Sequence, residues 1–129
     1  MEQSILILLA EDEALIAFSL QDALEEAAFA IRHVSTGDEA IQALDDGHAG
    51  FSGLITDIGL GNGVDGWAVA RHARELTSNL PIVYMSGDSS HEHTVQGVPE
   101  SVMLQKPFAP AQLIIAISTL LNAMPQQPV

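Results

Sequence analysis

The chain has 129 residues, of which 47% are hydrophobic and 16% are charged, and its 4 basic and 17 acidic residues give a formal net charge of −13. This length and apolar content predict one folded domain and exclude a disordered chain. The lack of Cys excludes disulfides, a thiol nucleophile and a cysteine-ligated zinc site. Because so acidic a surface repels phosphate backbones, we expect no direct nucleic-acid binding and favour a cation or a basic partner.

The sequence predicts no contact with a membrane. The longest apolar run, residues 5–10, is far shorter than the roughly 20 residues that span a bilayer. The first three residues also lack the positive charge that begins a signal peptide. These features predict a cytoplasmic protein.

The first half of the chain alternates aliphatic runs with stretches of helical periodicity. Residues 5–9 form an unbroken aliphatic run, which is typical of a strand buried on both faces. Residues 14–28 predict a helix, because four apolar side chains recur at helical spacing: Ile16, Leu20, Leu24 and Ala27. A strand at 30–34, a helix from 35 to about 45 that Thr36 or Asp38 could cap, and a strand at 54–57 follow.

The second half continues this alternation with a helix at 65–76, strands at 81–85 and 102–105, and a helix at 110–122. Residues 89–100 carry little apolar periodicity, so a helix there would be short or absent. Strands that alternate with helices indicate right-handed βαβ units, and we predict an α/β fold with one doubly wound, five-stranded parallel sheet. We expect this domain to occupy residues 1–124 and residues 125–129 to form a flexible tail, without room for a second domain.

Polar side chains follow the predicted strands at the points where they end. Glu11 and Asp12 follow the first strand, Asp57 ends the third, Ser86 follows the fourth and Lys106 follows the fifth. Ligands of open α/β sheets bind beyond the carboxyl ends of the strands. We therefore expect these five side chains to converge on one edge of the sheet.

Three carboxylates at one edge repel one another unless a cation holds them ionised. Oxygen ligands alone favour Mg²⁺, which commonly binds one or two carboxylates together with a phosphate. Lys106, the single Lys of the sequence, can extend its charge to a phosphoryl oxygen, and Ser86 can donate to another. Asp57 would then act as a nucleophile and accept a phosphoryl group.

These residues resemble the receiver domain of two-component response regulators. The resemblance runs from Ser4 to about Ala123, and its last motif is Lys106-Pro107-Phe108. It implies the flavodoxin-like strand order 2-1-3-4-5, and a Lys106–Pro107 peptide bond of the kind that is usually cis in this family. It further implies phosphorylation of Asp57 by a histidine kinase or a phosphotransfer protein.

The resemblance also assigns the site residues. It implies that Mg²⁺ is held by Glu11, Asp12, Asp57 and the backbone carbonyl of Gly59, and that Ser86 and Lys106 contact the phosphoryl group. Such a protein is no enzyme beyond its own phosphorylation and dephosphorylation. We expect a stand-alone receiver without an output domain, which signals to a downstream protein by contact or passes phosphate along a relay.

Three departures from the family pattern concern the switch between states. Met103 stands where the family usually has an aromatic switch residue, three positions before Lys106. The segment 59–66 lacks the usual proline, is one residue longer and is glycine-rich, so we expect it to be more mobile. The third departure is the thin fourth helix. We infer a switch that couples this segment to the fourth helix, with Ser86 and Met103 as switch positions.

The last predicted helix is apolar around most of its circumference. Ile114 and Ile115 would then be exposed, as a surface for a partner or for self-association, or they would sink into the core beside a thin fourth helix. The sequence leaves both interpretations open.

Other functions fit parts of the pattern. A binding module of the same fold that is independent of phosphorylation is one alternative. An aspartyl-nucleophile phosphatase is another, although Gly59 stands where such enzymes have a second Asp. Residues 61–66 spell the G-x-G-x-x-G of dinucleotide sites, but they follow the third strand instead of the first. At His91 and His93 we predict a solvated loop and not a metal site, because no third ligand is in view. We predict that His33 lies at the surface.

Overall fold

The computed structural model describes residues 5–87 and 93–123. Its elements follow one another in chain order as β1 (Ile5–Ala10), α1 (Ala14–Glu26), β2 (Phe29–Val34), α2 (Gly37–Gly47), β3 (Gly53–Asp57), α3 (Gly66–Leu76), β4 (Ile82–Ser86), α4 (His93–Gln96), β5 (Val102–Gln105) and α5 (Pro110–Ala123). A short 3-10 turn, His48–Gly50, separates α2 from β3. No helix within these described residues is both long enough and apolar enough to cross a membrane.

The five strands form one parallel sheet in the order β2-β1-β3-β4-β5, which confirms the predicted fold. The winding direction reverses between β1 and β3, so the loops after these two strands leave toward opposite faces. A crevice therefore opens at their carboxyl ends. This crevice is where Glu11, Asp12 and Asp57 lie.

Helices cover both faces of the sheet, so its central strands are buried over their length. Every residue of β3 and of β4 is buried. On one face, α2 and α3 pack against a cluster that includes Trp67 and Tyr84. On the other face, α1 and α5 contribute Leu24 and Leu113 to a second cluster. Burying a large aliphatic side chain contributes about 1.5–3 kcal/mol, which explains why the strands are almost purely aliphatic.

Two of the helices begin at side-chain caps. Thr36, one of the two predicted caps, caps α2 and forms a reciprocal capping box with Glu39. Asp65 caps α3 by accepting the N–H of Ala68 at 2.9 Å, so this predicted helix begins at Gly66 and not at Asp65. Both caps fix the start of a helix that lies beside the crevice.

Helix α1 is shorter than predicted. It ends at Glu26 instead of residue 28, because Ala28 takes up left-handed backbone with φ of 75° and turns the chain into β2. Ala27, which the periodicity placed in the core, is exposed beyond the helix end. The predicted stripe is correct at Leu20 and Leu24, which are buried.

Helix α4 consists of a single turn, His93–Gln96, in line with the prediction of a short fourth helix. His93 is half-buried and its Nε2 lies 2.8 Å from the Ser101 hydroxyl, so the prediction of a solvated loop is wrong for this residue. His91 and the predicted tail at residues 125–129 lie outside the described residues.

Candidate functional site

The crevice between β1 and β3 brings three carboxylates together. Glu11 and Asp12 directly follow β1, and Asp57 is the last residue of β3. One carboxylate oxygen from each residue lies within 4.8 Å of the other two. Two ligands on opposite sides of one Mg²⁺ would be about 4 Å apart, so a small adjustment lets all three contact one ion. The donor set, oxygen alone, also suits this metal.

Lys106 lies between two of these carboxylates. Its Nζ donates to Glu11 Oε1 and to Asp57 Oδ2, both at 3.1 Å. The backbone places it there, because the Lys106 N–H donates to the Ser86 carbonyl at 2.7 Å. The Lys106–Pro107 bond that follows is cis. One ammonium thus faces three carboxylates, and the crevice keeps an excess of negative charge.

The two neighbouring acids differ in environment. Glu11 is 0% exposed, whereas Asp12 is exposed to solvent. Burial raises the pKa of Glu11 from 4.5 to about 7, with a further upward contribution from Asp57, and the bonds from the Glu13 N–H and from Lys106 only partly offset it. Burial alone would lower the pKa of Lys106, but its bonds to Asp57 and Glu11 outweigh burial and raise it. Lys106 therefore stays charged in the crevice.

Ser86 and Gly59 lie on either side of Asp57. Ser86 is the last residue of β4, is 3% exposed, and pairs with Gln105 of β5. Gly59 is exposed two residues after Asp57, at the start of the segment that leads to α3. The structure thus brings carboxylate oxygens of Glu11, Asp12 and Asp57 within 4.8 Å of one another, with Lys106 hydrogen-bonded to Glu11 and Asp57. Ser86 ends the neighbouring strand β4, and Gly59 lies in the loop after β3.

The segment Ile58–Asp65, hereafter the β3–α3 loop, packs against the protein body. Leu60 is buried, and the Gly66 N–H donates back to the Ile58 carbonyl at 2.8 Å. A Cβ at Gly66 would collide with the carbonyl oxygen of Asp57. Gly66, the last glycine of the G-x-G-x-x-G pattern, therefore serves close backbone packing against Asp57. The loop also follows β3, which argues against a dinucleotide site.

An aromatic side chain, Tyr84, packs near Met103, one of the two predicted switch positions, but it lies on β4 and not on β5. Met103 is half-buried on β5, directly opposite Tyr84 of β4. Tyr84 is fully buried, its hydroxyl oxygen accepts the Val98 N–H at 3.1 Å, and its ring centroid lies 4.7 Å from that of Trp67 and 5.6 Å from that of His93. Tyr84 thus links the strand of Ser86 to the chain after α4. Sequence reasoning missed Tyr84, because the family pattern indicated an aromatic residue only at the position of Met103 on β5.

His33 is half-buried on β2, so the prediction of a surface position is wrong for this residue. Its Nε2 lies 2.8 Å from the carbonyl oxygen of Glu11. Parallel pairing of β1 with β2 causes this, because the register sets Leu9 opposite His33. His33 therefore contacts the backbone of the acid pair.

Sequence reasoning also missed an apolar surface on α1. Leu15 is 85% exposed and Phe18 is 74% exposed. Leu15 lines a groove of about 560 Å³ whose other wall includes Lys106, Pro107 and Phe108. The signal was available, because Leu15 and Phe18 fall outside the stripe of Ile16, Leu20 and Leu24 that contacts the sheet.

The two isoleucines of α5 do not behave alike. Ile115 is 64% exposed, whereas Ile114 is partly buried and packs against the α1–α5 side of the core. The thin fourth helix therefore does not draw both side chains inward. Of the two residues, Ile115 alone remains available as an exposed surface.

Comparisons with known proteins agree with this geometry. Residues 7–118 match the model of the response regulator receiver domain. The response regulator receiver protein CpdR of Brucella abortus is 33% identical over 119 residues, which cover 91% of this chain and 97% of CpdR. The transcriptional regulatory protein CusR of Escherichia coli is 32% identical over 122 residues, which cover 90% of this chain but 51% of CusR. The chain thus spans about half the length of that relative.

A solved structure is more similar still. The crystal structure of a response regulator receiver protein from Sinorhizobium medicae is 47% identical, with a TM-score of 0.91, and the match covers 94% of this chain and 97% of that one. The fold, the acidic crevice with its lysine and these matches lead to one assignment. The chain belongs to the response regulator receiver domain family of two-component systems.

Proposed function

We propose that Asp57 is the phosphoacceptor of this receiver domain and that its phosphorylation requires Mg²⁺. The observation that carries the proposal is the position of Lys106, whose ammonium bridges Asp57 and Glu11 inside a cluster of three carboxylates. A lysine placed for solubility would extend into solvent. This one lies where a phosphoryl group on Asp57 would need a positive charge.

The proposed metal ligands are Glu11, Asp12, Asp57 and the Gly59 carbonyl. A divalent ion at this cluster supplies positive charge against the phosphoryl oxygens. The three carboxylates face one ammonium, so the crevice holds unbalanced negative charge that a cation would neutralise. Such a cation would also keep Glu11 ionised against a pKa of about 7.

The proposed reaction is a displacement at phosphorus. A carboxylate oxygen of Asp57 forms the new P–O bond while the P–N bond of a phosphohistidine breaks, and the electron pair of that bond leaves with the imidazole. Lys106 moves from the carboxylate to a phosphoryl oxygen, and the hydroxyl of Ser86 donates to another. Hydrolysis later returns the free carboxylate, so the protein acts only on its own phosphate.

The exposed α1 surface, defined by Leu15 and Phe18, is the proposed docking site of the histidine-carrying phosphodonor. Its groove shares Lys106 and Pro107 with the rim of the crevice, so a protein bound there reaches Asp57. Apolar side chains of this exposure favour an apolar partner face. The net charge of −13 favours basic residues around that face.

Acetyl phosphate tests the phosphoacceptor. The chain is incubated with acetyl phosphate, with Mg²⁺ or with EDTA, and its intact mass is measured. We expect a metal-dependent, base-labile adduct of one phosphate that Asp57→Asn abolishes. Asp45→Asn, which changes an exposed carboxylate on α2, is the control and should retain the adduct.

The same assay separates the alternatives. Absence of an adduct under every condition would contradict the proposal and favour a binding module that is independent of phosphorylation. Steady turnover of p-nitrophenyl phosphate by the wild type but not by Asp57→Asn would favour a phosphatase instead.

Leu15→Ser tests the docking surface, because Leu15 is exposed and lines the groove beside Lys106. Transfer from a phosphorylated histidine kinase that phosphorylates the wild-type chain should slow by about tenfold or more, as expected for the loss of an apolar contact at an interface. Phosphorylation by acetyl phosphate should be unchanged, because it needs no docking. Ile115→Ser on α5 is the matched control, and an equal loss in both variants would contradict the assignment of this surface.

A further inference from the structure

The first residue of α2 contacts the loop that follows the phosphoacceptor. Gly37 is buried, and a Cβ at this position would collide with the carbonyl oxygen of Val64 and would lie 2.8 Å from its carbonyl carbon. Real Cβ atoms do not approach backbone so closely. Only glycine at residue 37 therefore allows the β3–α3 loop to rest on the start of α2 as it does.

The part of the loop that rests on α2 is close to the acidic crevice. Gly63 has φ of 96° and its Cβ position lies 3.3 Å from Asp38 Oδ2, beside Gly37. Gly61 has φ of 73° and its Cβ position lies 4.0 Å from Asp12 Oδ2, in the crevice. One short stretch of backbone thus touches α2 at one point and approaches the carboxylate of Asp12 at another.

The ends of the loop leave little freedom to absorb a displacement. At one end, the loop continues directly from Asp57 into Ile58 and Gly59. At the other end, Gly66 packs against the Asp57 carbonyl and donates its N–H to Ile58. Leu60 anchors the middle of the loop in the core. We therefore expect a push on Val64 to displace the exposed residues 61–63, which lie beside Asp12, and to strain the buried Leu60 that holds Gly59 in position.

We propose that Gly37 is a positioning residue of the metal site, which acts through Val64 to hold the β3–α3 loop and with it the Gly59 carbonyl. This inference rests on the proposed function, because it takes the Gly59 carbonyl as a metal ligand. It assigns to the start of α2 a part in Mg²⁺ binding, although α2 contributes none of the proposed ligands. Groups that hydrogen-bond to metal ligands typically change metal affinity by 10–100-fold when they are mutated, and we expect the packing of Gly37 on Val64 to have an effect at the lower end of this range.

The test compares two Gly→Ala substitutions in the same helix. Gly37→Ala adds a methyl group against the Val64 carbonyl. At Gly47, the last residue of α2, a Cβ would meet no described atom within 4 Å other than its chain neighbours and the backbone of its own helix. For each variant we would measure the Mg²⁺ dissociation constant of the unphosphorylated protein by calorimetry. The acetyl phosphate reaction would be followed over a range of Mg²⁺ concentrations.

We expect Gly37→Ala to raise the Mg²⁺ dissociation constant about tenfold and to raise the half-saturating Mg²⁺ concentration of phosphorylation equally, with the rate at saturating Mg²⁺ nearly kept. Gly47→Ala should match the wild type in the Mg²⁺ dissociation constant, in the half-saturating Mg²⁺ concentration and in the rate at saturating Mg²⁺. If Gly37→Ala lowers only the free energy of unfolding and leaves the dissociation constant unchanged, the residue is merely structural and the inference is wrong.

Two further results keep the inference separate from the proposed function. A wild-type chain that binds no Mg²⁺ would refute the proposed function itself, whereas normal binding by both glycine variants would refute only the role of Gly37. Should Gly37→Ala fail to fold, Val64→Ala removes the half-buried side chain that packs the loop against the core, without touching α2. It should weaken Mg²⁺ binding in the same direction, and unchanged binding would overturn the inference.

Discussion

The two chain segments that flank Asp57 are held in place by different kinds of contact. The β3–α3 loop is fixed by close backbone packing, with Gly37 against Val64 and Gly66 against Asp57. The chain from α4 to β5 also packs closely, with Gly97 against His93 and Val98 in the core, but it is tied to its neighbours by hydrogen bonds from side chains. Tyr84 accepts the Val98 N–H, Ser101 donates to the Val98 carbonyl at 2.6 Å, and Arg74 donates to the Pro99 carbonyl at 2.7 Å.

This difference separates binding from response. Close-packed backbone tolerates little displacement, which suits a loop that carries the proposed metal ligand Gly59. Hydrogen bonds to side chains can be exchanged for water at a net cost of about 1 kcal/mol each, which suits a segment that must move. The sequence predicts a switch that couples the β3–α3 loop to the fourth helix, whereas these contacts favour separate roles. We therefore expect the β3–α3 loop to set metal affinity and the α4–β5 segment to carry the change of shape.

Gly66→Ala should strongly destabilise the packed side. The added methyl group would meet the Asp57 carbonyl and would lie 2.8 Å from the Ile58 Cα, all of it backbone that cannot turn away. We expect a loss of about 3 kcal/mol in the free energy of unfolding, measured in urea. Gly50→Ala, where no described atom lies within 4 Å of the added carbon, should cost little. Equal losses in both variants would contradict the packing argument.

The buried carboxyl of Glu11 should make the metal-free protein less stable as the pH rises. Because burial raises the pKa of Glu11 from 4.5 to about 7, the folded state keeps a proton that the unfolded state releases between these values. The free energy of unfolding should therefore fall, by about 3 kcal/mol in total, as the pH rises from about 4.5 to about 7.

Urea titrations at several pH values in EDTA measure this slope. Glu11→Gln is the matched control, because its side chain does not titrate, and the difference between the two chains isolates Glu11 from the other acids. Saturating Mg²⁺ should also flatten the wild-type slope, since the metal holds Glu11 ionised. Parallel pH profiles of the wild type and Glu11→Gln in EDTA would show that the carboxyl does not titrate in this window.

Tyr84→Phe tests the polar side of the comparison. The substitution keeps the ring contacts with Trp67 and His93 but removes the oxygen that accepts the Val98 N–H, and Val98 is buried. An unpaired buried N–H costs about 1–3 kcal/mol, so we expect a loss of about 2 kcal/mol. Amide shifts should change around residues 97–103 and not in the β3–α3 loop. Changes of equal size in both segments would contradict their independence.

The strand ends explain how much of this site could be predicted. Aliphatic runs defined the strands, and parallel topology then required Glu11, Asp57 and Lys106 to meet at one edge. Parallel strands all end at the same edge of the sheet, so the direction of the strands alone places these three residues together. The fold and the membership of the acidic cluster therefore followed from local pattern and topology.

The contacts that hold the site could not be predicted in the same way. The bond between Tyr84 and Val98 and the approach of Gly37 to Val64 each join residues that are distant along the chain. Periodicity reports which face of an element is apolar, but it does not report which atom a buried hydroxyl or a glycine will meet. The end of α1 was misplaced for a related reason, since nothing in its composition signals the left-handed backbone of Ala28.

Ser101→Ala should give the smallest effect and the finest test of the polar side. The hydroxyl of Ser101 donates to the Val98 carbonyl and pairs with His93, but the residue is only half-buried, so water can replace part of what is lost. We expect a loss of about 1 kcal/mol, against almost none for the exposed Ser78→Ala. Ser101 and Tyr84 act on the carbonyl and the N–H of the same residue, so the double variant Tyr84→Phe/Ser101→Ala should lose less than the two single losses together. Additive losses would mean that the two bonds hold Val98 independently, and the α4–β5 segment would then not move as one unit.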